Sequence, residues 1–176
     1  MSPKKQVSAT ARTPFVPYEM PFVRLELAVL SIVEGKLAVL LGKREKEPHQ
    51  GQWALPGGVL RIDLDDDLEA AAQRVATERL GIAVPFLRQL AVVGGKYRDP
   101  RAPWALSIVY RALVPFEAIT PVAGKRLEAL EWRDVEKASI DTSLAFDHAD
   151  LIGKAVAATR REVDELELPF EFLPQE

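Results

Sequence analysis

Between Gly57 and Ile82 the hydrophobic period changes within a few residues, and that change limits the fold more than any other feature of the chain. Gln52–Leu60 (QWALPGGVL) has strand length but is interrupted by Pro56-Gly57-Gly58. A polar, acidic stretch follows. From Leu68 onward, Ala71, Ala72, Val75 and Ala76 recur at the spacing of one buried helical stripe. Asp66 followed by Glu69 suits the start of that helix, because acidic groups there meet unpaired N–H groups and the positive end of the dipole. Gly81 supplies the stop. A strand, a glycine turn, an acidic loop and a helix in this order predict an α/β layer structure.

The flanking segments extend that layer. Phe22–Val33 (FVRLELAVLSIV) reads as a strand, Glu34-Gly35-Lys36 as a hairpin turn, and Leu37–Leu41 as its return. Lys43–Gly51 is a polar loop. Further strands are expected near Leu87–Val93, Ala105–Val114 and Leu127–Trp132, with a charged loop at Arg98-Asp99-Pro100-Arg101. A last helix is expected over Phe146–Val163, with Leu151, Ile152, Ala155, Val156 and Thr159 inward. Residues 1–17 lack periodicity and read as a mobile arm, 18–165 as one folded domain, and 166–176 as an acidic tail or linker.

Composition removes several classes of function. The chain has 176 residues, a length that suits one domain. With no cysteine there is no disulfide framework and no thiolate metal site. Two histidines, His49 and His148, cannot build an imidazole-rich centre. The net charge of −3 offers no general attraction to nucleic acid, and from Glu162 onward there are six acidic residues and no basic one. No apolar run reaches the ~18–20 residues of a membrane span, and the N-terminus lacks a signal peptide's apolar core. A cytoplasmic protein without a membrane partner is expected.

The segment from Trp53 to Ile82 resembles the Nudix box. Trp53-Ala54-Leu55-Pro56-Gly57-Gly58 matches the usual lead-in, and the helical run reads Arg74-Val75-Ala76-Thr77-Glu78-Arg79-Leu80-Gly81-Ile82. The spacer between the two is two residues longer than the commonest one. Arg98-Asp99-Pro100-Arg101, the Ser107–Leu113 stretch and Leu144-Ala145-Phe146-Asp147-His148 are similar to the Nudix-related transcriptional regulators of NAD metabolism. The resemblance covers roughly Phe22 to Arg161. It implies an α/β/α sandwich with a mixed sheet, a cleft for ADP-ribose or a related nucleoside diphosphate derivative, and a homodimer. The winged-helix part of those regulators has no counterpart in these residues, so no DNA binding is carried over to this chain alone.

In an intact box, residues at i, i+3 and i+4 on one helical face gather three carboxylates around a divalent cation. Here those positions hold Val75, Glu78 and Arg79. Glu78 is therefore the sole candidate metal ligand and catalytic carboxylate on this face, with Arg74 supporting the box. A guanidinium ~5 Å from a dication, at an effective dielectric of ~20, repels it by about 7 kcal/mol before screening. Val75 cannot accept a proton, and losing a positioned base costs about 10²–10⁴ in rate. The expectation is a binding or sensor domain that needs no cofactor and holds Mg²⁺ or Mn²⁺ weakly. Arg44, Trp53, Gly57, Gly58, Arg79, Arg98 and Arg101 are its expected ligand contacts, with Arg79 neutralising a diphosphate in place of a metal. Trp53 and Tyr97 could stack on a base or pack in the sheet. His148 is assigned to structure. Two alternatives stand beside this reading. One is a working hydrolase drawing metal ligands from the Asp63–Asp67 loop or Glu128; the other is a protein-interaction module with a vestigial cleft.

Overall fold

The computed structural model describes residues 19–165; the expected arm (1–17) and tail (166–176) lie outside them. Seven strands form one mixed sheet: β1 (Phe22–Val33), β2 (Lys36–Arg44), β3 (Trp53–Ala54), β4 (Gly57–Val59), β5 (Leu87–Lys96), β6 (Trp104–Leu113) and β7 (Leu127–Asp134). The helices are α1 (Leu68–Leu80), α2 (Val135–Ala138) and α3 (His148–Asp164), with a short 3₁₀ turn at Phe116–Ala118. The main path of the sheet runs β3-β2-β1-β6-β5, and β1 and β6 pair in parallel from Phe22↔Ala105 to Leu30↔Leu113.

β1 is buried on both faces because both are covered. Leu25, Leu27 and Val29 enter a core with the α1 residues Ala71, Ala72, Val75, Ala76 and Leu80. Ala28 and Leu30 point the other way, into a core with Leu151, Ile152, Ala155 and Val156 of α3. The period-2 alternation of one strand thus makes two cores and a sandwich. All five residues expected on the inner face of the last helix are buried.

The hairpin turn falls where expected, with Glu34 (φ 50°) and Gly35 (φ 75°) both left-handed. The helix cap does not. Asp67, not Asp66, takes the N-cap, its carboxylate accepting from the Ala70 N–H at 2.8 Å. That places the acceptor three residues before its donor, as capping requires. Gly81 (φ 66°) closes α1, its N–H donating to Thr77 O at 3.0 Å. The remaining carbonyls at that end are met from outside the helix: Leu80, Arg79 and Glu78 accept from the N–H groups of Val122, Gly124 and Lys125 at 2.9 Å each. α2 and the 3₁₀ turn are too short for a periodic signal and were not expected. Among the described residues no helix is long and apolar enough to cross a membrane.

Candidate functional site

The edge of β1 away from β6 is shared between two partners. β4 pairs with Arg24–Glu26 and β2 with Leu30–Val33. Where β4 and β2 diverge, a cleft forms against the end of α1. It is lined by Arg24, Arg44, Lys46, Arg79, Arg101 and Arg126, with Ala54, Leu55, Gly57 and Leu127 as its apolar and backbone surface. Glu47 is the single carboxylate in that lining. Six cations against one anion in a partly enclosed space favour a polyanionic ligand.

Four of the five guanidiniums are held by some of their donors and leave others for a ligand. Arg24 is 5% exposed and donates Nε–H to Glu26 Oε1 at 2.8 Å. Burial opposes its charge, but the Glu26 carboxylate outweighs burial and its pKa rises. Arg44 donates Nε–H to Pro48 O at 2.7 Å and lies 5.1 Å over the Phe146 ring. Burial, then the charges of Arg24 and Arg101, bring its pKa down to about 10. Arg101 is fixed by Asp99 through Nε and Nη2 and lies 5.0 Å over the Phe22 ring. Arg79 is 8% exposed; its Nε–H donates to Gly57 O at 2.8 Å and its Nη1 to Lys125 O. Burial, followed by Arg126 and Arg24 working against Glu78, lowers its pKa. Among the described residues Arg126 makes no ion pair or side-chain hydrogen bond. The pKa values of Arg44 and Arg79 are depressed by burial first and by neighbouring cations second, and a bound anion offsets the second of these.

The box helix shows what became of its metal face. Val75 is 1% exposed and packs in the α1 core beneath Gly58, where an added Cβ would approach its Cγ2 to 2.7 Å. Packing against Val75 therefore requires a glycine at position 58, which is not part of the cleft lining. Glu78 pairs with Arg74 at 3.4 Å, and Arg74 holds Asp65 through two hydrogen bonds of 2.6 and 2.8 Å and donates to Val59 O. Arg74 thus ties the acidic spacer to the helix. That pairing holds Asp65 below the usual carboxylate range. Asp63 pairs with Arg61 and Asp67 caps α1, while Asp66 makes no side-chain hydrogen bond or ion pair among the described residues. Glu128 pairs with Lys43 at 3.0 Å. Among the described residues no three His, Asp or Glu side chains are grouped to hold a metal ion. Mg²⁺ and Mn²⁺ take oxygen ligands, and on this helix face Glu78 is the one carboxylate that could supply them.

Of the expected contacts, Trp53, Gly58 and Arg98 do not line the cleft, and neither does Tyr97. Arg98 grips Asp147 through hydrogen bonds of 2.9 and 2.7 Å and donates to Ser107 Oγ at 2.6 Å. It is consumed by the fold. Trp53 packs toward the α3 core, with Arg133 5.4 Å over its ring. Tyr97 is 82% exposed at a left-handed turn. Arg24, Lys46 and Arg126 were missed. Arg24 stands in an apolar strand where a charge reads as an edge residue, and the other two are ordinary loop cations until the fold converges them. His148 has the structural role expected of it. Its Nδ1 accepts the Leu55 N–H at 2.9 Å, and burial lowers its pKa to about 4.

The family model of the NUDIX domain matches residues 24–157. The chain belongs to the Nudix family. It is 36% identical over 157 residues to the ADPR responsive transcriptional repressor NtrR of Acinetobacter baylyi, covering 89% of this chain and 62% of that protein. It therefore spans about three fifths of that relative's length. It is 32% identical over 129 residues to the ADP-ribose pyrophosphatase of Methanocaldococcus jannaschii, covering 72% of this chain and 70% of that one. Among solved structures, the NUDIX domain of Shewanella oneidensis NrtR complexed with ADP ribose superposes with a TM-score of 0.74 at 26% identity, over 81% of this chain and 90% of that one. In this Nudix chain the cleft lies beside the box helix, and two of the three positions on that helix face hold Val75 and Arg79 in place of carboxylates.

Proposed function

We propose that this domain binds ADP-ribose, or a closely related nucleoside diphosphate derivative, as a sensor, with pyrophosphate hydrolysis weak or absent. One observation carries the reading. At the i+4 position of the box face, a buried guanidinium, Arg79, borders a cleft with five further cations and no grouped carboxylates. A diphosphate carries its charge on oxygens that accept charge-assisted hydrogen bonds from such donors. It then needs no metal to neutralise it. The likeness to a repressor described as ADPR responsive and to a domain solved with ADP ribose supports the choice of nucleotide. A transcriptional role, a homodimer and a cytoplasmic location belong to the same proposal; DNA contact by this chain alone does not.

The likeness to an ADP-ribose pyrophosphatase favours hydrolysis as the second reading. Two measurements separate them. Calorimetry in chelator-containing buffer is expected to show ADP-ribose binding by the wild type and weaker binding by Arg79→Glu. Phosphate release with Mg²⁺ or Mn²⁺ is expected to stay far below ordinary turnover of ~1–10³ s⁻¹. Turnover within that range would establish the hydrolase instead.

A further inference from the structure

Four consecutive residues lead into α3, and each is tied to an element that carries a cleft residue. The Ala145 N–H donates to Trp53 O at 2.9 Å, on the strand that continues into Ala54 and Leu55. The Phe146 ring lies under the Arg44 guanidinium at 5.1 Å. Asp147 takes two hydrogen bonds from Arg98, which donates to Ser107 Oγ; that hydroxyl reaches Glu26 Oε1 at 3.4 Å, the acceptor of Arg24. His148 Nδ1 accepts from the N–H of Leu55, itself in the cleft wall.

One feature of this segment and one beside it bear on how it is held. Phe146 has φ 57°, a left-handed conformation that a bulky side chain holds only when its surroundings impose it. Glu26 is 1% exposed, and its Oε2 has no hydrogen-bond partner, with His148 Nε2 4.0 Å away. The carboxylate is thus committed to Arg24 through one oxygen only.

We infer that the Ala145–His148 segment reads the occupancy of the cleft, a step that rests on the nucleotide-binding reading above. A diphosphate oxygen accepts a stronger, charge-assisted hydrogen bond than the face of a phenyl ring offers. Binding draws Arg44 off Phe146, while Arg24 keeps its bond to Glu26 and meets the ligand with its free Nη donors. The ring loses its cation, and the first turn of α3 loosens against the hold of the Glu26–Ser107–Arg98–Asp147 limb. Phe146 and Ser107 are positioning residues in this scheme. By linkage, a ligand that weakens the latch by some factor is itself bound more tightly, by the same factor, when the latch is broken.

Amide exchange of the whole chain tests this with ADP-ribose as the probe. Saturating ligand is expected to speed exchange at Ala145, His148 and Leu151 by about threefold to thirtyfold relative to the far-edge strand β5, the range set by a cation–π contact. Calorimetry on Phe146→Leu is expected to show tighter ADP-ribose binding by about threefold or more, with Phe146→Tyr returning to wild type. A merely structural role predicts weaker binding by the leucine variant. Ser107→Ala severs the second limb and is expected to change affinity in the same direction, which keeps the test open if Phe146→Leu does not fold. Ligand binding with those amides unchanged or slowed overturns the inference and leaves the cleft reading intact. So does equal or weaker binding by the folded variants. If calorimetry detects no ADP-ribose binding to the wild type, both readings fall together.

Discussion

Two arginine-rich regions of this molecule differ in how their charges are answered. On the β5–β6 side of α3, Arg88, Arg111 and Arg161 line a groove together with Glu162 and Glu165. There Arg111, 3% exposed, donates to Thr159 Oγ1 at 2.9 Å and to both oxygens of Glu162 at 2.6 and 2.5 Å, and Arg88 reaches the same carboxylate at 3.1 Å. In the cleft, six cations face Glu47 alone, with Glu26 and Asp99 behind them holding Arg24 and Arg101. The groove sets three arginines against two carboxylates and the cleft six cations against one, so the groove is largely neutralised from within and the cleft is not. An anion site is made by the carboxylates a protein leaves out as much as by the cations it places.

That contrast can be broken by mutation. The largest effect is expected in the groove, where Arg111→Ala leaves Glu162 without its buried partner. Denaturation in urea is expected to show a loss of about 3–5 kcal/mol, with ADP-ribose affinity of the folded protein unchanged. A parallel loss of affinity would mean the two regions are not independent. In the cleft, Arg79→Glu replaces a donor with a repelling charge. ADP-ribose binding in chelator-containing buffer is expected to fall about a hundredfold, as truncating one member of a buried charge contact does. Thermal unfolding should change far less than in Arg111→Ala.

A smaller effect follows from pH. His148 titrates at about 4 in the folded protein against an ordinary 6.5, because burial disfavours its charged form. Between those values the unfolded chain binds the extra proton and the folded one does not, so stability falls as pH drops below 6.5. Urea unfolding at pH 5 is expected to show about 2 kcal/mol less from this group than at pH 8. The part due to His148 should vanish in His148→Gln, whose side-chain oxygen offers the Leu55 N–H another acceptor. The smallest change is Asp67→Ala, which removes the α1 cap for about 1 kcal/mol, measured as a small drop in Tm. Binding should be untouched, since Asp67 lies at the opposite end of α1 from Arg79.

Much of the fold was legible because its signals are local. The strand Phe22–Val33 and the Gly81 stop fall where periodicity and glycine placement put them. The cap slipped by one residue because Asp65, Asp66 and Asp67 offer the same carboxylate chemistry, and only the N–H directions choose among them. The site was legible in part. Arg44, Gly57, Arg79 and Arg101 were expected and line the cleft. Arg98 and Arg101, three residues apart in one loop, are equivalent in sequence. Asp147 captures the first, while the second holds its place beside the cleft through Asp99.

From its residues alone the chain was bound to build a sheet covered on both faces, with a glycine-stopped helix carrying Glu78 and Arg79 beside a Pro-Gly-Gly turn. Those properties depend on neighbours within a few positions, which sequence order preserves. Which cations would face one another was settled only by packing. The cleft draws on residues from Arg24 to Leu127, and whether a guanidinium meets a carboxylate or a bound anion depends on which strands diverge there. Coulomb energy depends on distance in space, and the distances that matter here exist only after β1 has divided its edge between β4 and β2.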